Sequence, residues 1–166
     1  MKQPEAQSQP VVITSRQWIK RFVQVGLSML SVAAFPALAT EWTVQMLNYN
    51  DSESMVFKPA VIHANIGDTV VFEPTHSGHY VQSFITPDGS GRWRTGMDEK
   101  TTLKLDTEGL YVYYCPPHLM MGMVGMIQVG RATNLKKVTE NLPRLKAKAH
   151  LKPQRVEALL DNVSHH

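Results

Sequence analysis

The chain has 166 residues, 43% of them hydrophobic, and a single cysteine. That length suits one domain with appendages, the apolar content excludes global disorder, and one cysteine excludes an internal disulfide framework. The formal charge of +3 arises in residues 1–39, which hold four basic and one acidic side chain; the remainder carries thirteen of each and gives no footing for nucleic-acid binding.

Residues 1–39 read as an export signal. Arg16, Lys20 and Arg21 form a positive region, Val23 to Ala34 is mostly apolar, and Pro36 breaks the run. Ala37-Leu38-Ala39 fits a small-residue cleavage site. The apolar run is short for a membrane span, so the expected product begins at Thr40 and is free of the membrane.

Short strands are expected next. Residues 42–47 (WTVQML) alternate between faces, and 60–74 (AVIHANIGDTVVFEP) give two strands about a Gly67-Asp68 turn. Residues 79–85 (HYVQSFI) give another, followed by a loop with Pro87, Asp88-Gly89 and Gly91. Residues 101–105 alternate, Glu108-Gly109 turns the chain, and Tyr111 to Tyr114 and 123–130 (MVGMIQVG) complete the set. Such strands, with turn residues between them, predict a β-sandwich.

From residue 131 the Val, Thr and aromatic content gives way to Leu, Lys and Ala. Thr133 or Asn134 is expected to cap a helix that Pro143 stops after Leu142, and a second helix is expected from Pro153 to Leu160. Residues 41–130 carry five basic and ten acidic side chains, and 131–166 eight and three, so a basic extension is expected to lie against an acidic body. The domain reading is therefore 1–39 signal, 40–130 sandwich and 131–166 helical extension packed on it.

The chemistry concentrates in YCPPHLMMGMVG, residues 114–125. Cys115 is followed by His118, with methionines at 120, 121, 123 and 126. A lone cysteine among apolar residues is most often an inert core residue. Against that, an exported thiol sits in an oxidising compartment, and this one lies at a strand end before a Pro-Pro turn. Thiolate and thioether are soft donors suited to Cu(I), and imidazole also suits Cu(II). Two histidines and a cysteine with a weak axial methionine make the blue-copper electron-transfer set. That set needs a second histidine. His150, His165 and His166 lie in the tail and read as solvated, and His63 reads as a structural histidine within a strand. His76 and His79 flank a Ser77-Gly78 turn.

These segments resemble the cupredoxins, and among them the pseudoazurin family. The resemblance rests on MLN at 46–48, MVFKPA at 55–60, GDTVVFEPTHSGHYV at 67–81, GLYVYYCPPHLMMGMVGMIQVG at 109–130 and the two-helix tail. It implies an eight-stranded Greek-key sandwich holding one copper ion through His79, Cys115, His118 and an axial Met123. Met120, Met121 and Met126 are then packing residues. It also implies a periplasmic one-electron carrier exchanging electrons with c-type cytochromes and with reductases such as copper nitrite reductase. A monomer is the default expectation.

Three positions depart from the family pattern. Tyr80 stands where an asparagine usually helps tie the two ligand loops, and Pro116 replaces a small polar residue. Tyr49, Ser77 and Tyr114 occupy places where lysines usually ring an apolar docking face. That face is expected here from Pro117, Leu119, Met120 and Met121, with His118 as the electron exit. No nucleophile–base pair or phosphate loop is present, and four protein ligands leave no open metal position, so an enzyme is not expected. The other readings are a copper-trafficking protein and a metal-free binding module. The first predicts ready metal transfer and no intense blue colour. The second predicts metal content indifferent to Cys115→Ser.

Overall fold

The computed structural model describes residues 38–51 and 53–164; most of the export signal, and His165 and His166, lie outside that range. Among the described residues eight strands form two mixed four-stranded sheets. They are β1 (Glu41–Asn50), β2 (Glu53–Lys58), β3 (Val61–Ala64), β4 (Thr69–Pro74), β5 (Gln82–Ile85), β6 (Thr101–Lys104), β7 (Gly109–Tyr114) and β8 (Val124–Val129). One sheet runs β2-β1-β4-β6 and the other β3-β8-β7-β5. The β1–β4 and β3–β8 pairs are parallel and the others antiparallel. Two helices follow, α1 (Leu135–Lys146) and α2 (Gln154–Asp161). No helix among the described residues is long and apolar enough to cross a membrane.

The central strands β7 and β8 of the second sheet are buried on both faces, which explains the unbroken apolar run of β7. Tyr111, Tyr113, Ile127 and Val129 face the first sheet and pack with Val44, Met46, Val70 and Phe72. Leu110, Val112, Val124 and Met126 point the other way, onto Val138, Leu142 and Leu145 of α1 and Val156 and Leu159 of α2. A strand covered on both sides carries apolar residues at every position rather than at every second one. Cys115 and Met123 belong to the layer between the sheets, at the end of the core.

Several local expectations are corrected. Strand β5 begins at Gln82 rather than at 79, because His79 and Val81 bond a neighbouring loop instead of a sheet partner. Strand β2 goes unread from periodicity alone. Helix α1 runs through Pro143 to Lys146. Its buried stripe of Val138, Leu142 and Leu145 leads on to the buried Ala149, and this tertiary packing holds the turn that the proline weakens. Asn134 occupies the N-cap position but makes no cap bond. Its side chain instead accepts from Leu110 N–H (2.7 Å) and donates to Leu110 C=O (2.9 Å), fastening the helix start to β7. His63 lies in β3, as expected, with its side chain exposed.

The basic extension does meet acidic partners on the body. Lys137 pairs with Asp88 (2.8 Å), Arg131 with Glu108 (2.9 Å) and Lys152 with Glu53 (3.0 Å). Arg155 also pairs with Glu53.

Candidate metal centre

The segment between β7 and β8 is built by its own sequence. Cys115 keeps the extended backbone of the strand. Pro116 and Pro117 then open a 3-10 turn over Pro116–Met121. Proline suits a first helical turn because its φ is already right and its missing N–H would have no partner there. The turn ends at Gly122 in the left-handed region (φ 75°). A Cβ there would also lie 2.7 Å from the Lys152 carbonyl oxygen, so the position requires glycine twice over. The three loop candidates are bonded to one another through the backbone. His118 N–H donates to Cys115 C=O (3.0 Å), Met123 N–H to His118 C=O (3.2 Å), and Cys115 N–H to Met123 C=O (3.0 Å).

His79 comes from the other loop, before β5. Its Nδ1 lies 3.7 Å from Cys115 Sγ, and His118 Nδ1 lies 3.5 Å from the same sulfur. The three ligand atoms fall within 4.8 Å of one another. An ion about 2.0–2.1 Å from an imidazole nitrogen and about 2.3 Å from a thiolate, with bond angles near 110–120°, separates the two donors by roughly 3.6–3.8 Å. The observed spacing fits one shared ion. Met123 is fully buried in the cluster that contains Cys115. His76 is not part of the group; its Nδ1 accepts from Asn48 N–H (3.1 Å) and Tyr49 covers its ring. His150 is exposed.

The electrostatics favour metal over protons. Burial first, and the neighbouring His118 second, push His79 down to about 4, so its imidazole is neutral at pH 7. Burial also lowers His118. The Cys115 thiol is raised, chiefly by burial, against the pull of hydrogen bonds from the Tyr80 and His118 amides. A bound cation must therefore displace the thiol proton, whereas both imidazoles are already unprotonated.

Two residues that orient the site escaped the sequence reading. Asn48 sits in the MLN motif, and its Oδ1 accepts from His79 Nε2–H at 2.8 Å. That bond puts the His79 proton on Nε2 and leaves the Nδ1 lone pair facing the sulfur. Asp98 carries no sequence signal beyond its loop position. Its carboxylate accepts from Gly78 N–H (2.7 Å) and His79 N–H (2.9 Å), and its own N–H donates to His79 C=O (2.8 Å). This carboxylate holds the His79 turn in a chain whose Tyr80 side chain lies under the Arg94 guanidinium (4.5 Å). We expect Asn48→Ala to weaken copper binding about 10–100-fold, as loss of a ligand-orienting hydrogen bond does. Metal titration with a competing chelator reads that change.

The surface over the site differs from expectation in one place. Leu119 is buried under the helices and belongs to their core. Met120 (56% exposed) and Pro117 are at the surface, and the half-buried His118 lies between sulfur and solvent. Tyr49, near the end of β1, and Met97, in the loop that carries Asp98, are also exposed.

Comparison with known proteins agrees with this geometry. Residues 44–130 match the family described as copper binding proteins, plastocyanin/azurin family. A pseudoazurin of Methylorubrum extorquens is 39% identical over 106 residues, covering 63% of this chain and 72% of that protein. A pseudoazurin of Paracoccus pantotrophus is 41% identical over 107 residues, covering 63% and 73%. The crystal structure of native pseudoazurin from Hyphomicrobium denitrificans superposes with a TM-score of 0.67 at 32% identity, covering 76% of this chain and all of that one. Two imidazoles converging on one buried cysteine sulfur at the end of a two-sheet sandwich, and relatives of this kind, lead to one conclusion: the chain belongs to the plastocyanin/azurin family of copper binding proteins, as a pseudoazurin-type electron carrier and not an enzyme.

Proposed function

We propose that this chain is a periplasmic carrier of single electrons, in which His79 Nδ1, Cys115 Sγ, His118 Nδ1 and the Met123 thioether would hold the copper ion. The donor is a c-type cytochrome and the acceptor a reductase such as copper nitrite reductase. The observation that carries the reading is the pair of Nδ1 atoms at 3.7 and 3.5 Å from one sulfur. Bound copper supplies the electron by cycling between Cu(II) and Cu(I). The protein's part is to keep the donors still while the charge changes. His79 is fixed by Asn48 and Asp98, and the 115–123 loop is fixed by its own backbone bonds. Neither loop can relax without breaking these bonds, so little reorganisation accompanies transfer.

His118 is the exit. Its surroundings at the surface, Pro117 and Met120, are apolar and small in extent. Such a patch suits a brief encounter with a redox partner better than a lasting complex. The test is the visible spectrum of the copper-loaded protein before and after ascorbate. An intense thiolate-to-Cu(II) band that ascorbate bleaches is expected; a colourless Cu(II) protein would overturn the proposal.

The backbone amides of Tyr80 and His118 favour the Cys115 thiolate against the burial that raises its pKa. Pro116 and Pro117, being prolines, offer no N–H. An added amide stabilises the more negative thiolate of the Cu(I) state. Pro117→Ala is therefore expected to raise the reduction potential, provided the new N–H reaches the sulfur. Voltammetry decides, and an unchanged or lower potential counts against this account.

A further inference from the structure

Asp68 is the one buried carboxylate among the described residues, 2% exposed. Its Oδ2 accepts from Asn65 N–H (2.9 Å) and Trp42 Nε1–H (3.1 Å), and its Oδ1 accepts from Thr40 N–H (2.7 Å). Bonds from the Asn65 and Thr40 amides hold its pKa below the usual carboxylate range, so it is an anion at neutral pH. Among the described residues no lysine, arginine or histidine forms an ion pair with it. Burial by itself disfavours the anion; the amide bonds outweigh that penalty, and a positive charge in place of one of those amides would stabilise the anion further.

The donor at Thr40 has a second identity. Its nitrogen belongs to the Ala39–Thr40 peptide, the bond at which the export signal is expected to be cut. Thr40 is also held in place from its other side, because Thr69 N–H donates to its carbonyl (2.9 Å) at the head of the β1–β4 pairing. That bond anchors Thr40 at the start of β1 with its nitrogen beside Asp68.

We infer that signal cleavage after Ala39 completes the fold by installing an ion pair, in which the new Thr40 α-ammonium closes on Asp68. Hydrolysis of the Ala39–Thr40 peptide consumes one water. Ala39 departs as a carboxylate, and the freed amine takes up a proton to become the ammonium. A neutral amide hydrogen bond becomes a charge-assisted one at the same position, and the buried anion gains its countercharge. The inference rests on the export reading but not on the copper reading. It makes the processed protein more stable than the same sandwich with its leader attached.

The test has two steps. Mass spectrometry of the exported protein should give Thr40 as the first residue; any other first residue overturns the inference. Denaturant unfolding then compares the protein beginning at Thr40 with one that keeps Ala39, which carries the charge one residue outward to an exposed position. The folded-to-unfolded ratio is expected to be about tenfold higher for the Thr40 form, the difference between a charged and a neutral hydrogen bond. Asp68→Asn should abolish that advantage. Acetylating the Thr40 α-amino group should do so without touching Asp68, which keeps the test decisive if the Asp68 variant fails to fold. Equal stability of the two forms, or an advantage that survives acetylation, overturns the inference.

Discussion

Cys115→Ser is expected to abolish the visible absorption of the copper-loaded protein and to weaken copper binding by more than about 100-fold, beyond what loss of a second-sphere contact does. The thiolate is the only anionic donor among the four proposed ligands. A serine hydroxyl is harder, and it does not ionise at neutral pH. The two imidazoles and the thioether that remain are neutral and cannot offset the charge of Cu(II). The sandwich itself should survive. Cys115 is fully buried, and serine matches its shape closely. The new hydroxyl would have the His79 and His118 ring nitrogens, now 3.7 and 3.5 Å from the sulfur, as hydrogen-bond partners. A stability loss of about 1–3 kcal/mol is the upper range for a buried hydroxyl. Copper titration, the visible spectrum and thermal unfolding separate the two effects. A variant that unfolds, or one that keeps its colour, would show that Cys115 has a different role.

Arg155→Met should destabilise the protein by about 2–4 kcal/mol, because a charged donor to backbone carbonyls is worth more than a neutral one. From α2 the Arg155 guanidinium donates to Ser54 C=O (3.0 Å), Met55 C=O (2.9 Å) and Met121 C=O (3.3 Å). It also pairs with Glu53, and its stem lies against Gly122. Leu151 N–H adds a bond to Met120 C=O (2.9 Å). The helical extension thus grips the loop between His118 and Met123 at three consecutive residues. Methionine keeps much of the apolar stem and removes the donors, leaving carbonyls that have lost their partner. The melting temperature should fall by on the order of 10 °C for a domain of this size. The reduction potential should move as well, because the segment leading into Met123 is no longer clamped. An unchanged melting temperature would mean that α2 covers the loop without holding it.

How much of this was legible in the chain follows from the range of the interactions. The 115–123 segment was readable because it is local. Cys115, the proline pair, His118, Gly122 and Met123 build one turn from their own φ preferences and short backbone bonds. Strands exposed on one face announced themselves by alternation. Strands β7 and β8 did so only as apolar runs, because the helices cover their second face. Resemblance to the family chose His79 over His76; spacing alone did not.

What the tertiary structure decided is what depends on a partner remote in sequence. His79 and Cys115 are 36 residues apart and meet only because β5 pairs with β7. The helix that ran past Pro143, the asparagine that fastened to β7 instead of capping, and the leucine that sank beneath the helices all obeyed packing energies that no local propensity contains. Asn48 and Asp98 set the orientation of a histidine far from either in sequence. Composition and short-range geometry therefore specified which donors are available. The pairing of strands and the docking of two helices determined which of them converge, because only long-range contacts fix directions to within an ångström.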